Sequence, residues 1–142
     1  MKIRCAAIVH YADGVVLVRE AGAEEWRLPE RELDETEDVL LCIRRCVLTQ
    51  TGYRAVKVRF FKIKTQARTP KKGAMIRFIF GCEIGTNTLQ DPEIEAKCFS
   101  PDEVMGLAGK NKFNDPTLLD LLHKYQAMIT APEEPDPLPL NV

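Results

Sequence analysis

A loop that leads into a helix, which in turn ends at a glycine, constrains this chain more than any other feature. Residues 26–53 read WRLPERELDETEDVLLCIRRCVLTQTGY. A tight loop is expected from Leu28 to Thr36, and Thr36 is the expected N-cap of the helix. Gly52 is the expected C-terminal stop, because glycine readily adopts the left-handed conformation that ends helices. The stretch therefore predicts one amphipathic helix of about four turns.

The predicted helix has distinct sides. Glu37 and Asp38 are expected in its first turn, where negative charge suits the helix dipole. At ~100° per residue, one side should face a core through Val39, Leu40, Ile43, Cys46 and Val47. A second stripe along its edge consists of Cys42, Arg45, Cys46 and Thr49. Leu41 and Leu48 lie on the opposite side, where they mark an interface if exposed and belong to a core if covered.

Composition limits the class of protein. The chain has 142 residues, of which 45% are hydrophobic and 29% charged, as expected for one soluble globular domain. Its net charge of -1 creates no global field that would attract nucleic acid or an anionic membrane. We expect no signal peptide, and no apolar stretch reaches membrane-spanning length. Five cysteines without a C-x-x-C pair predict reduced thiols and a cytoplasmic location.

The segments outside the loop and helix predict mostly strands. Alternating or continuous apolar runs indicate strands at Lys2 to His10, Val15 to Glu20, Ala74 to Ile84 and Glu93 to Phe99. Tyr53 to Gln66 is expected to form one long strand or two short ones. The first two should form a hairpin, with His10 as a solvated neighbour of the turn. Gly85 to Pro92 is expected to be a loop. Trp26 is expected to be a hydrophobic plug, with stacking on a base as the alternative.

Two further helices complete the predicted domain, and a tail follows it. Ser100 to Glu103 form a capping-box pattern that opens a short helix ending near Leu107. Asn114 or Asp115 should cap a last helix from Pro116 to about residue 129. Its apolar face would consist of Leu118, Leu119, Leu122, Tyr125 and Met128. We therefore expect one domain over residues 1–130 and a proline-rich acidic tail, disordered or in polyproline II conformation, over residues 131–142.

The loop and helix resemble the Nudix box, whose pattern is G-x5-E-x7-R-E-U-x-E-E-x-G-U with U a bulky apolar residue. The positions that match are Glu37, Arg45, Val47, Gly52 and Tyr53. The preceding W-x-L-P is similar to the usual approach to that box. The resemblance spans residues 31–53 most specifically. It implies an α/β (α+β) fold in which a mixed β-sheet is sandwiched between helices.

The same alignment shows four departures from the box. Arg31 replaces the first glycine, Cys46 replaces the glutamate after the arginine, and Thr49 and Gln50 replace the paired glutamates. In the family those glutamates hold the magnesium that bridges a substrate diphosphate. Magnesium prefers oxygen ligands and cysteine is a soft ligand, so this set is poorly suited to the ion. We expect no metal and no cofactor.

Three functions follow as hypotheses. The first is a Nudix-fold protein that binds a small phosphorylated ligand or a partner without standard hydrolysis. The second is a hydrolase of nucleoside diphosphate derivatives, with Mg or Mn held by other carboxylates and with Glu35, Glu37, Glu93 or Glu95 as catalytic candidates. The third is a structural or interaction module. A homodimer is possible, because members of the family are often homodimers.

The candidate ligand-binding residues come from two segments. The box supplies Arg31, Glu37 and Arg45, and a basic hairpin loop supplies Arg68, Lys71 and Lys72. Each also has a purely structural interpretation. Glu37 and Arg45 are expected to hold the box in shape, and Arg31 to pair with the acids around it or to contact a phosphate. The basic loop could be a solvated hairpin tip. The acidic residues of the loop, Glu30, Glu32, Asp34, Glu35, Glu37 and Asp38, are either solvated or rebuild a metal site. Cys42 and Cys46 are expected to be small buried apolar residues.

Overall fold

A six-stranded mixed sheet forms the centre of the protein, for which a computed structural model describes residues 1–131. Its strands are β1 (Lys2–Tyr11), β2 (Gly14–Arg19), β3 (Glu30–Glu32), β4 (Tyr53–Gln66), β5 (Met75–Thr88) and β6 (Glu95–Phe99). The strand order is β4-β5-β1-β2-β6, and β3 pairs with β1 away from this path. β1 and β5 are parallel, whereas the other pairs are antiparallel. The predicted β1–β2 hairpin is confirmed.

Helices cover both faces of the sheet. These are α1 (Val39–Thr51) on one face, and α2 (Pro101–Gly109) and α3 (Leu118–Thr130) on the other. Side chains alternate along β1. As a result, Cys5, Ala7 and Val9 pack with α1, whereas Ala6 and Ile8 pack with α2 and α3. The predicted mixed sheet between helices is therefore confirmed.

Helix α1 starts later than its sequence pattern predicts. Its N-cap is Asp38, whose carboxylate accepts a 2.7 Å hydrogen bond from the Leu41 backbone N–H. Thr36 is not the cap, because its backbone N–H and hydroxyl both donate to Asp34 Oδ1 at 3.0 Å and form a turn ahead of the helix. Glu37 and Asp38 consequently precede the first turn. At the other end Gly52 has φ 80° and donates its N–H to the Leu48 carbonyl, as predicted.

The core-facing side of α1 is confirmed except at Leu40. Cys42, Ile43, Cys46 and Val47 are fully buried, and the half-buried Val39 packs against the same cluster. Leu40, which was expected to face the core, is 53% exposed.

Other boundaries also differ from the sequence expectation: β6 begins at Glu95 and α2 ends at Gly109, each two residues later than expected. β5 continues to Thr88 through residues expected to form a loop, because it remains paired with β4 as far as Tyr53. Helix α3 begins at Leu118 rather than at Pro116, and its N-cap position is Thr117. Asp115 does not cap it, because its carboxylate accepts hydrogen bonds from the Thr117 backbone N–H and hydroxyl at 2.9 and 2.7 Å.

The start of α2 is confirmed. Ser100 accepts from the Glu103 N–H at 3.2 Å, and Glu103 accepts from the Ser100 N–H at 3.1 Å, which completes the capping box. The predicted tail lies outside the described residues from position 132 onward. Within residues 1–131, no helix combines the length and apolar character needed to cross a membrane.

Candidate functional site

The box loop is held against the beginning of β1. β3 pairs with Arg4, Cys5 and Ala6 of that strand. On either side of β3, the Ala7 N–H donates to the Pro29 carbonyl at 2.9 Å and the Leu33 N–H donates to the Ile3 carbonyl at 2.8 Å. The loop is therefore attached to the sheet by its backbone, which fixes where its side chains lie relative to α1.

Glu37 is the central ionic group of this loop. Its side chain is only 1% exposed and lies between two guanidinium groups, Arg31 at 3.2 Å and Arg45 at 3.3 Å. Its carboxylate also accepts a 3.3 Å hydrogen bond from the Asp34 N–H. These contacts join the loop to the helix, so the structure contains the pairing expected for Arg31 and the structural contact expected between Glu37 and Arg45.

Cys46, which occupies the position of the first missing glutamate, is buried in the protein interior. It is 0% exposed, and burial raises the pKa of its thiol to about 12. A thiol with so high a pKa is protonated at neutral pH, and sulfur is a soft ligand that suits magnesium poorly. Cys42 is also fully buried, so the expectation of small buried apolar side chains is confirmed for both cysteines.

Thr49 and Gln50 fill the other two positions with groups already engaged in hydrogen bonds. The Thr49 hydroxyl donates back to the Arg45 carbonyl at 2.9 Å. The Gln50 amide donates to the Glu30 carbonyl at 2.9 Å and accepts from the Glu30 N–H at 3.1 Å. Arg27 donates a third bond, at 3.3 Å, to the same amide oxygen. Gln50 thus clamps β3 to α1 through the backbone of Glu30.

These three positions do not fit the magnesium that the box would otherwise hold. A buried thiol, a back-bonded hydroxyl and an engaged amide supply no anionic oxygen, whereas magnesium is usually bound by one or two carboxylates. Within residues 1–131, no three His, Cys, Asp or Glu side chains are grouped so as to hold a metal ion. Glu37, the most buried of the loop acids, is already bound by two arginines.

The side chain of Glu30 links the box to a polar basin at the same end of the sheet. Its carboxylate lies 2.7 Å from both Arg4 and Arg77, and Arg77 lies 3.7 Å from Asp115. The basin has a volume of about 370 Å³, and the residues lining it include Lys64, Lys72, Arg77, Asn114 and Asp115. Burial, the largest single effect, opposes ionisation of Asp115, but the hydrogen bonds from Thr117 and the charges of Lys64 and Arg77 together outweigh it and lower its pKa. The basin therefore combines three cations with one carboxylate and two side-chain amides, those of Gln66 and Asn114.

The remaining predicted site residues lie apart from this network. Arg68 and Lys71 are exposed on the β4–β5 hairpin, and only Lys72 of that loop lines the basin. Glu35 and Glu93 are exposed. Glu95 pairs with Arg19 at 2.6 Å, a hydrogen-bonded contact that lowers the pKa of Glu95.

Two aromatic predictions have opposite outcomes. Trp26 is 5% exposed and makes an edge contact with Phe99 at 4.8 Å between ring centroids, so it is a hydrophobic plug. His10, expected to be a solvated turn neighbour, was predicted wrongly. It belongs to β1, is half-buried, and lies 5.6 Å from the ring of Tyr125 because α3 covers that end of the strand.

Sequence reasoning missed Arg27, Arg77 and Asp115 as members of the site. Arg27 is the second residue of the W-x-L-P motif that precedes the box, and its place in that motif could have identified it. Arg77 is one charged residue in an otherwise apolar strand segment, a pattern that indicates a polar contact without identifying the partner. Only the sheet register brings Arg77 beside Arg4 and the Glu30 loop.

The architecture and the loop–helix geometry define a Nudix-type fold. The structure is similar to a NUDIX hydrolase from Nitrosomonas europaea, with 22% identity, a TM-score of 0.73 and 89% of each chain covered. It is also similar to a protein described as an ADP compounds hydrolase, with 16% identity, a TM-score of 0.71, and 91% of this chain and 75% of that one covered. A UDP-X diphosphatase matches with 21% identity and a TM-score of 0.60 over 72% of this chain and 52% of that one.

The sequence itself establishes the family. The model of the NUDIX domain matches residues 1–122, and the chain belongs to that family. Among curated proteins, none matches the sequence significantly.

Proposed function

We propose that this chain binds a nucleotide or another diphosphate-type ligand and does not perform the magnesium-dependent hydrolysis associated with the Nudix box. The chemistry of its three altered box positions carries the proposal. Cys46 is a buried thiol, Thr49 is bonded to its own helix and Gln50 holds the backbone of Glu30. Because none of them offers an anionic oxygen, the ion that would neutralise phosphate charge lacks its ligands.

Ligand binding is supported by the basic groups at the box end of the sheet. Lys64, Lys72 and Arg77 line one basin, and cations of this kind bind phosphate through charge-assisted hydrogen bonds. Arg31 and Arg45 keep 31% and 58% of their side chains exposed beside Glu37 and remain candidates for phosphate contacts. The structural neighbours described as an ADP compounds hydrolase and a UDP-X diphosphatase favour a nucleotide-type ligand.

A nucleotide panel tests both parts of the proposal. The full chain would be incubated with nucleotides, nucleotide sugars, dinucleoside polyphosphates and diphosphoinositols, with and without magnesium or manganese. We expect thermal stabilisation by at least one compound, through mass action, and no turnover. Lys72→Gln should weaken that binding on the order of tenfold, because it removes one charged hydrogen bond. The adjacent Lys71→Gln is the matched control, since Lys71 does not line the basin.

The hydrolase alternative is favoured by the names of the structural neighbours. Metal-dependent turnover of any compound would refute the proposed loss of hydrolysis. Glu35→Gln, Glu37→Gln, Glu93→Gln and Glu95→Gln would then identify the carboxylate responsible. Glu37→Gln needs a parallel measurement of stability, because Glu37 also holds the loop.

The interaction-module alternative rests on the outer side of α1. Leu41 is 39% exposed, whereas Leu48 is half-buried. If no compound stabilised the protein and light scattering gave the mass of a dimer, this side would be the first candidate for the interface.

Four of the five cysteines are buried and all five are free, which supports a reducing compartment such as the cytoplasm.

A further inference from the structure

A groove lies at the end of the sheet opposite the box loop. The box loop pairs with β1 at Arg4–Ala6, whereas the groove begins at His10 near the end of that strand. It consists of two adjoining cavities of about 270 and 190 Å³, which share His10 and Tyr125 as walls. Small-molecule sites typically measure ~300–1,000 Å³, so the groove as a whole has an appropriate size.

The larger cavity is mainly apolar. Its lining includes Val15, Phe99, Val104, Met105 and Leu122, contributed by β2, β6, α2 and α3. The carboxylates of Asp13 and Asp102 also line this cavity, and both residues are exposed. The cavity therefore suits an uncharged, ring-sized group, and its acidic residues repel an anion.

The smaller cavity is basic. Lys57 and Arg59 of β4 line it together with Glu83 of β5. Within residues 1–131, neither cation forms an ion pair with a carboxylate within 4.0 Å. This contrasts with Arg31 and Arg45, which both contact Glu37. Two cations against one carboxylate leave this cavity complementary to an anion.

Tyr125 lines both cavities, and Gly81 lies beside it in the smaller one. A Cβ atom at Gly81 would lie 2.0 Å from the Tyr125 hydroxyl oxygen, so only glycine permits the tyrosine to lie against β5. The His10 ring faces the same tyrosine. Burial lowers the pKa of His10, and Arg59 and Lys57 lower it further while Glu83 opposes them. His10 is thus a neutral imidazole that can either donate or accept a hydrogen bond.

We propose that this groove is a second ligand site, distinct from the box, for a small molecule with an apolar ring-sized body and one anionic group. The body occupies the cavity beside Met105 and Leu122. The anionic group, a carboxylate or a phosphate, points to Lys57 and Arg59, because Asp13 and Asp102 disfavour the opposite orientation. His10 and Tyr125 lie at the junction of the two parts.

Two fluorescent probes test the two halves of the groove separately. Anilinonaphthalene sulfonate has an aromatic body and one anionic group, and N-phenyl-1-naphthylamine has the same rings without the charge. Replacing both Lys57 and Arg59 with Gln should weaken binding of the sulfonate about fivefold or more, as expected for the loss of partly screened charge contacts. It should leave the neutral probe unchanged. Met105→Glu, at a position 50% exposed and so tolerant of substitution, should weaken both probes.

The matched control is Arg54→Gln, which removes an exposed cation from the same strand outside the groove. The chain has only two histidines, and both line the apolar cavity, so the NMR signals of both imidazoles should shift when the sulfonate binds. Equal affinities in the control and in the Lys57 and Arg59 variant would overturn the proposal. Unmoved imidazole signals would do the same.

Competition identifies the anionic group and separates this site from the box. Displacement of the sulfonate by naphthaleneacetate or by naphthyl phosphate would support the proposal and show whether a carboxylate or a phosphate is preferred. Failure of both to compete would refute it. Competitive displacement by a nucleotide that binds at Lys72 would also refute it, because a single site would then account for both ligands.

Discussion

The polar edge of α1 and the groove beside Tyr125 differ in how their polar groups are satisfied. Along the edge, Glu37 contacts two arginines and Gln50 binds the backbone of Glu30. In the groove, Lys57 and Arg59 have no ion-pair partner among residues 1–131. Polar groups that satisfy one another stabilise the fold, whereas polar groups that face a cavity without partners are free to bind a ligand.

Contacts within the edge of α1 hold the box loop in place. The box helix and loop of a hydrolase need their acidic side chains to face an ion. Here one of the equivalent positions, Gln50, binds the loop directly through the backbone of Glu30. If the proposed loss of hydrolysis is correct, the family geometry is retained here for reasons of packing.

The largest effect should come from restoring the first missing glutamate. Cys46→Glu would place a carboxylate at a position that is 0% exposed, so we expect a loss of about 3 kcal/mol or more in the free energy of unfolding. Urea denaturation measures this loss. Magnesium should not reverse it, because neither neighbouring replacement offers a carboxylate.

Cys98→Glu is the control for that substitution, since Cys98 is the one exposed cysteine and should tolerate the change. A variant Cys46→Glu that is as stable as the parent, or that magnesium stabilises, would show that the edge is still open to a metal. The contrast between an edge whose polar groups bind one another and an open groove would then not hold.

Restoring the last glutamate should cost less. Gln50→Glu removes the amide N–H that donates to the Glu30 carbonyl and leaves that acceptor unpaired, so we expect a loss of about 1–3 kcal/mol by urea denaturation. Thr49→Val provides the comparison, because it removes only a bond back to the same helix and should change stability by less than about 0.5 kcal/mol. Equal effects of the two substitutions would mean that Gln50 does not clamp the loop.

The sequence predicted the features that depend on near neighbours. β4 has the predicted limits, Gly52 ends α1, and the Ser100–Glu103 capping box forms, because alternation and capping act within a few residues. The site depended on long-range contacts. Gln50 meets Glu30 and Glu30 meets Arg77 only because β1 lies between β3 and β5.

The positions of the altered box residues could be predicted, but their new partners could not. Aligning the box on Gly52 identified Cys46, Thr49 and Gln50 without any structure. That Gln50 would bind a backbone rather than a ligand follows from the path of β3, for which the short segment Glu30–Glu32 carries no strand pattern. His10 was misjudged for a similar reason, since the cover supplied by Tyr125 comes from the distant α3.

Neutralising Glu37 should have a smaller effect than changing Gln50. Glu37→Gln removes the charge that attracts Arg31 and Arg45 but keeps an oxygen that can accept the Asp34 N–H. Because both arginines are partly exposed, we expect a loss of about 1 kcal/mol, which should decrease at high salt. The exposed Glu35→Gln is the control. An effect independent of salt would indicate that hydrogen bonding, rather than charge, holds the loop.

The smallest effect concerns the pH dependence of stability at the groove. Burial lowers the pKa of His10 below its ordinary value of 6.5, so the unfolded chain binds a proton before the folded protein does. Stability should therefore fall as the pH decreases from about 6.5 towards the lowered pKa of His10, and His10→Gln should remove that part of the slope. The carboxylates with lowered pKa values, such as Glu95 and Asp34, act in a more acidic range, below about 4.5. The exposed His123→Gln is the control, and stability would be measured by denaturation at several pH values between 5 and 7.5.

If both variants kept the parent slope, His10 would be solvated as its sequence position suggests. The groove would then be ordinary solvated surface, and its contrast with the edge of α1 would have no basis.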